Sequence, residues 1–160
     1  MIKPGDRLPD ATFKVMKSEH PADLGTSDLF KNKRVLLFAV PGAFTPTCHR
    51  NHLPGYSNHA DEFSKKGIDA LYVTGVNDVF VMDAWSKASN AGDKITFLAD
   101  GSGDFAKAVG LTLDASAHGL GLRSQRYAMV VNDGVVEQLH VEDVPSKADI
   151  SGAENMLKLV

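Results

Sequence analysis

Cys48 is the only cysteine in the 160-residue chain, and it stands in the stretch FAVPGAFTPTCHRNHLPGY (38–56). An apolar run there ends in Pro-Gly, a Thr/Pro-rich turn follows, and a helix is expected to open at Pro46 or Thr47, since proline suits the first helical position. Thr45 lies three residues before the thiol, and His49 and His52 lie one and four after it. A thiol attacks as its thiolate, and a free cysteine, with a pKa near 8.5, is mostly protonated at neutral pH. The first turn of a helix offers unpaired amides and about half a positive charge. Cysteines in such places reach pKa values of about 3.5–7.5. Location alone leaves two readings of Cys48: an activated nucleophile, or a small buried apolar residue, which is how most free cysteines behave.

The elements around the turn alternate. RVLLFAV (34–40) is a continuous apolar run of strand length, as expected of a strand buried on both faces. Leu53, Tyr56, Ala60 and Phe63 then recur at helical spacing, and KKG (65–67) closes that helix with cations and a glycine. Pro54 cannot donate to the carbonyl of Arg50, so a kink is predicted near there, directing the first turn toward a ligand. DALYVTGV (69–76) and KITFLAD (94–100) read as further buried strands, separated by a helix over 78–90 that Asn77 or Asp78 opens. A short helix over 103–111 leads into an irregular Gly-rich piece. RYAMVV-NDG-VVEQLHVE (126–142) is a hairpin, and SGAENMLKLV closes the chain as an amphipathic helix.

Strand-helix-strand-helix-strand order implies right-handed crossovers and a parallel sheet with helices on both faces, to which the hairpin adds antiparallel strands. A mixed central sheet of this order is the α/β thioredoxin-like architecture, here with added N-terminal strands, and a single domain over 1–160 is expected. In open α/β sheets chemistry gathers beyond the carboxyl ends of the strands, where the Cys48 turn falls. In such folds this turn commonly holds Cys-x-x-Cys. Here Thr45 takes the first cysteine's place, which rules out dithiol exchange within the motif and leaves a hydroxyl about one helical turn from the sulfur.

Bulk properties narrow the partners. The net charge of −3, with 17 scattered Lys and Arg, argues against nucleic acid and anionic membrane. The opening MIKPGDRLPDATF carries prolines and charges where an export signal has an apolar run. One cysteine cannot form an internal disulfide, which suits a reducing compartment. A cytoplasmic protein is expected, with no cofactor and no metal.

Pro41, Thr45 and Cys48 stand as Pro-x-x-x-Thr-x-x-Cys, and this resembles the active-site signature of the peroxiredoxins, VPGAFTPTCHRNHLPGY being similar to the type II (fifth) subfamily. The likeness continues through GVNDVFVMDAW (75–85), FLADGSGDFAKAVGL (97–111) and GLGLRSQRYAMVVNDGVV (119–136), covering nearly the whole chain. It implies a thiol peroxidase for hydrogen peroxide and organic hydroperoxides. Cys48 would attack a peroxide oxygen and become a sulfenic acid, with Thr45 hydrogen-bonding the peroxide and the sulfur. Pro41 would shield the thiolate, the Cys48 amide would donate to the peroxide, and an arginine would stabilise the thiolate and the departing oxygen.

Arg123 and Arg126 are the two candidates for that arginine. Three apart, they point to opposite faces if both lie in one strand, so at most one meets Cys48. The family's Arg-(Phe/Tyr)-(Ser/Ala)-Met pattern selects Arg126, leaving Arg123 as a supporting residue. The resemblance departs where some members carry a resolving cysteine: 144–157 has none, and Val73 fills the other known place. An external thiol is therefore expected to regenerate Cys48, from glutathione or glutaredoxin, with thioredoxin as the alternative. A homodimer is also implied, for which the apolar residues of DVFVMDAW offer a face; simple core packing is the competing reading. Three rivals use the same residues: a Cys48–His52 pair for acyl transfer, Cys48 with His49 or His52 as part of a zinc site, and a redox sensor forming mixed disulfides. No orienting third residue is evident for the first, and no further ligands for the second.

Overall fold

The computed structural model describes all 160 residues. Strands β1 (Thr12–Lys17) and β2 (His20–Gly25) form an N-terminal hairpin, followed by the short helix α1 (Thr26–Phe30) and the strand β3 (Arg34–Ala39). After the Cys48 turn come a π-helical turn (Cys48–His52) and helices α2 (Leu53–Asn58) and α3 (Ala60–Lys65). The core alternation continues as β4 (Ala70–Gly75), α4 (Val79–Ser89), β5 (Thr96–Ala99) and α5 (Asp104–Val109). A small ribbon of β6 (Thr112–Asp114) and β7 (Leu122–Ser124) precedes the hairpin of β8 (Tyr127–Asn132) and β9 (Val135–Val141), and α6 (Ala153–Leu159) ends the chain.

One seven-stranded sheet runs in the order β2-β1-β5-β4-β3-β8-β9. Its centre, β3-β4-β5, is parallel, while β1 joins β5 and β8 joins β3 antiparallel. This is the mixed thioredoxin-like sheet expected, with β1 and β2 as its N-terminal additions. The central strand explains why 34–40 shows no polar alternation. Val35, Leu37 and Ala39 pack on one face with Phe30, Phe105, Tyr127 and Met129. Leu36, Phe38 and Val40 pack on the other with Cys48, Tyr56, Phe63, Trp85 and Met156. Each large side chain so buried is worth about 1.5–3 kcal/mol. No helix is long and apolar enough to cross a membrane.

Local chemistry fixes the ends. The Asp78 carboxylate accepts from the Val81 amide at 2.9 Å and caps α4, and Asn90 ends that helix in the left-handed region at φ 51°. Asp78, rather than Asn77, is thus the cap. Asp133 and Gly134 both have positive φ, 49° and 80°, as a two-residue hairpin turn demands.

Three expectations need adjustment. The single kinked helix after Cys48 is three pieces: the kink predicted at Pro54 takes the form of a π-helical turn, the Leu53 amide reaching back five residues to the Cys48 carbonyl. The chain breaks again at His59 before α3. The piece after residue 111 is not wholly irregular but holds β6, β7 and a 3₁₀ turn at Ser116–His118. In DVFVMDAW, Val79, Met82 and Trp85 face the core, whereas Phe80 is 64% exposed.

Candidate active site

The site lies where β3 and β4 end. The Val40 amide still bonds the Thr74 carbonyl, after which the chain leaves the sheet at Pro41. Asn77, just past β4, holds the turn: its Oδ1 accepts from the Ala43 amide at 2.9 Å. Gly42 is a close approach, since a Cβ there would stand 3.0 Å from Thr45 Cγ2 and 3.3 Å from an Arg123 nitrogen. Phe44 adopts φ 64°, a costly conformation for an aromatic residue, and is 46% exposed. The helical path opens at Pro46, with the His49 amide bonded to the Thr45 carbonyl at 2.8 Å. The Cys48 amide, in that first turn, donates to no carbonyl of the chain.

Cys48 is fully buried in the helix-side core. Arg126, 2% exposed, enters from the residue preceding β8, whose Tyr127 pairs with Ala39 and so brings Arg126 over the end of β3. Its guanidinium makes three bonds: Nη2 donates to Cys48 Sγ at 2.9 Å, Nη1 to His52 Nδ1 at 2.9 Å, and Nε to the Pro145 carbonyl at 2.9 Å. Neither Arg126 nor Arg123 meets a carboxylate; the ion pairs of the chain lie elsewhere. The sulfur thus meets a guanidinium that no carboxylate contacts.

His52 is equally constrained. Its Nε2 donates to the Ser151 carbonyl at 3.0 Å, so Nδ1 must accept from Arg126, and the ring is neutral. Burial, and then the Arg126 charge, push its pKa down to about 3. The Tyr56 hydroxyl donates to the same Ser151 carbonyl. Ser151 in turn donates from its amide, at 2.7 Å, and from its hydroxyl to the Glu142 carboxylate. The Glu142 amide donates to the Arg126 carbonyl at 3.0 Å and closes the ring of bonds.

A pocket of about 470 Å³ lies over this arrangement. Pro41, Thr45 and Arg126 line it, with an apolar wall from Pro46, Leu113, Ala115 and Leu120 and a rim at Pro145 and Ser146. The Thr45 hydroxyl spends its proton on the Gly42 carbonyl at 2.6 Å, so its oxygen faces any ligand as an acceptor.

Pro41, Thr45 and Arg126 line one pocket and Arg126 meets Cys48, but the expected hydrogen bond from Thr45 to the sulfur is not made, because that hydroxyl donates to Gly42. Arg123 does not touch the sulfur: its Nε donates to the Leu120 carbonyl at 2.9 Å and its Nη1 to those of Val76 and Pro41 at 3.3 and 3.5 Å. The condition on the spacing, one shared strand, is not met, since Arg123 lies in β7 and Arg126 precedes β8. His52 pairs with Arg126 and Ser151 rather than with Cys48, so no Cys-His couple for acyl transfer exists. His49 accepts at Nδ1 from the Trp85 indole at 3.1 Å. Asn77 entered the sequence reading only as a helix cap, not as the residue that holds the turn; Glu142 and Ser151 escaped it, and no spacing signal points to them, 16 and 25 residues beyond Arg126.

A thioredoxin-like sheet carrying one buried thiol against a guanidinium, under an open pocket, defines a thiol-dependent redox enzyme. The chain belongs to the peroxiredoxins, as a one-cysteine member: the Redoxin family model matches residues 3–157. It is 42% identical to the hybrid peroxiredoxin hyPrx5 of Haemophilus influenzae over 96% of its own length, spanning 64% of that longer protein. It is 43% identical to peroxiredoxin-2C of Oryza sativa subsp. japonica, covering 96% of this chain and 95% of that one. The crystal structure of reduced Prx3 from Vibrio vulnificus in complex with hydrogen peroxide superimposes with a TM-score of 0.94, at 48% identity and 99% coverage of both chains.

Proposed function

We propose that the chain reduces hydroperoxides at Cys48 by a one-cysteine cycle. The observation that carries this is the Arg126 N–H directed at the Cys48 sulfur at 2.9 Å beneath a pocket that Pro41 and Thr45 line. The thiolate attacks one peroxide oxygen; an S–O bond forms, the O–O bond breaks, and the departing oxygen takes a proton and leaves as water or an alcohol. The sulfur, oxidised by two electrons, becomes a sulfenic acid. Thr45 Oγ1 accepts from the peroxide O–H, and the free Cys48 amide donates to a peroxide oxygen. Arg126 balances the thiolate first and then the charge on the leaving oxygen, which is the logic of an oxyanion hole. Pro41 keeps water from the sulfur. The Vibrio relative bound to hydrogen peroxide supports this reading of the substrate.

The pocket is larger than hydrogen peroxide requires, and its apolar wall favours organic hydroperoxides as a second substrate class. No second cysteine is available to resolve the sulfenic acid, so an external thiol restores Cys48: glutathione with glutaredoxin, or thioredoxin, in a reducing cytoplasmic setting. Phe44, Phe80 and Leu122, exposed by 46, 64 and 41% around the carboxyl ends of β3 and β4, supply the face of a homodimer. The deciding experiment is peroxide turnover with glutathione plus glutaredoxin set beside thioredoxin plus its reductase. Turnover in the first system, abolished by Cys48→Ser, is expected. A Cys48→Ser protein as active as the parent in either system contradicts the mechanism.

A further inference from the structure

Arg123 is a half-buried cation beside the site that touches neither the sulfur nor any carboxylate. What it touches is backbone, on three separate segments. Nε holds Leu120, in the connection between β6 and β7, at 2.9 Å. Nη1 is shared between Val76, just past β4, and Pro41, just past β3, at 3.3 and 3.5 Å. Two of these three residues, Pro41 and Leu120, line the pocket over Cys48 from different elements. The guanidinium reaches Pro41 because Gly42 has no side chain: a Cβ there would lie 3.3 Å from Nη1. A planar fork with divergent donors can bridge three carbonyls in fixed directions, which an ammonium on a flexible stem cannot do.

We propose that Arg123 is a positioning residue for substrate size: by clamping the Pro41 turn to the Leu120 loop, it sets the width of the pocket and so the enzyme's selectivity for bulky over small hydroperoxides. The inference rests on the reading of the pocket as the seat of the organic hydroperoxide's apolar part. Hydrogen peroxide, held at the sulfur by Thr45, Arg126 and the Cys48 amide, does not reach the Leu120 side of the wall and depends little on the pocket's width. A bulky hydroperoxide depends on it directly.

The test compares the wild type with Arg123→Lys, which keeps the charge and loses the fork, and Arg123→Gln, which loses the charge. Second-order rate constants for Cys48 oxidation are measured with cumene hydroperoxide and with hydrogen peroxide, and melting is recorded alongside. The expected result is that the ratio of the two rate constants changes at least fivefold in both variants, while the hydrogen peroxide constant stays within about threefold of wild type. An unchanged ratio, or an equal fall for both peroxides in Arg123→Gln with Arg123→Lys normal, overturns the proposal, because charge alone would then account for the residue. Should Arg123→Lys fold poorly, Arg123→Gln is decided by the same ratio. Failure of cumene hydroperoxide to oxidise Cys48 in the wild type would instead defeat the reading of the pocket, a result that the parent enzyme gives without any variant.

Discussion

Arg126 has three hydrogen-bonded partners, and each restricts where its Nη2 can point. His52 holds one edge of the fork and the Pro145 carbonyl another, leaving Nη2 to meet Cys48. Removing the guanidinium takes away the donor aimed at the sulfur and at the leaving oxygen. Arg126→Ala is therefore expected to slow oxidation by about 10²–10³-fold, the usual cost of one such donor, with stopped-flow kinetics as the check and an unchanged rate as the contrary outcome. His52 makes a separate prediction through pH. Its folded pKa of about 3 lies below the ordinary 6.5, so the native state binds fewer protons than the unfolded one between those values. Stability from this residue is therefore complete above pH 6.5 and is lost as the pH falls toward 3. His52→Gln retains an acceptor and a donor but does not titrate. Between pH 6.5 and 5 the wild type should lose about 2 kcal/mol more than the variant in urea unfolding; parallel losses would contradict the assignment of a neutral, trapped imidazole.

Among the elements, the π-helical turn at Cys48–His52 has an identifiable cause. Pro54 supplies no N–H for the Arg50 carbonyl, and widening the preceding turn relieves the clash its ring would make. Pro54→Ala restores an N–H, so the turn should tighten toward an α-helix and rotate Cys48 away from Arg126. Oxidation by hydrogen peroxide slows severalfold while the melting temperature holds or rises; an unchanged rate would show that the turn does not aim the sulfur. This element also marks how far sequence reasoning reaches. The kink was legible because proline removes a specific hydrogen bond. The run 34–40, a cap at Asn77 or Asp78 and the Asn-Asp-Gly hairpin were legible for similar local reasons. The break at His59 has no such residue, and β6 and β7 are three residues each, too short for periodicity to register. The site divides the same way. Thr45 and Cys48 belong to one turn and announce themselves, and Arg126 was found through a family pattern. Glu142 and Ser151 act through backbone and carboxylate contacts across the tertiary fold, which no local spacing encodes.

At the scale of the whole molecule, the sheet brings the ends of β3 and β4 and the start of β8 to one place, so that residues 48 and 126 meet although 78 positions separate them. The exposed aromatic rings of Phe44 and Phe80 stand near that same end. If they cover a second copy, Phe80→Asp should convert a dimer to a monomer in sedimentation experiments while leaving the fold intact; a wild-type monomer at micromolar concentration would refute the dimer. The central claim is simpler than any of these: one buried sulfur, paired with a guanidinium, is an activated peroxidatic nucleophile. Its most direct measurement is the second-order rate of Cys48 oxidation by hydrogen peroxide in a stopped flow, followed by the fluorescence of Trp85, whose indole bonds the neighbouring His49. The account predicts a rate orders of magnitude above that of a free cysteine and one sulfenic acid per chain. A rate no faster than free cysteine would contradict it.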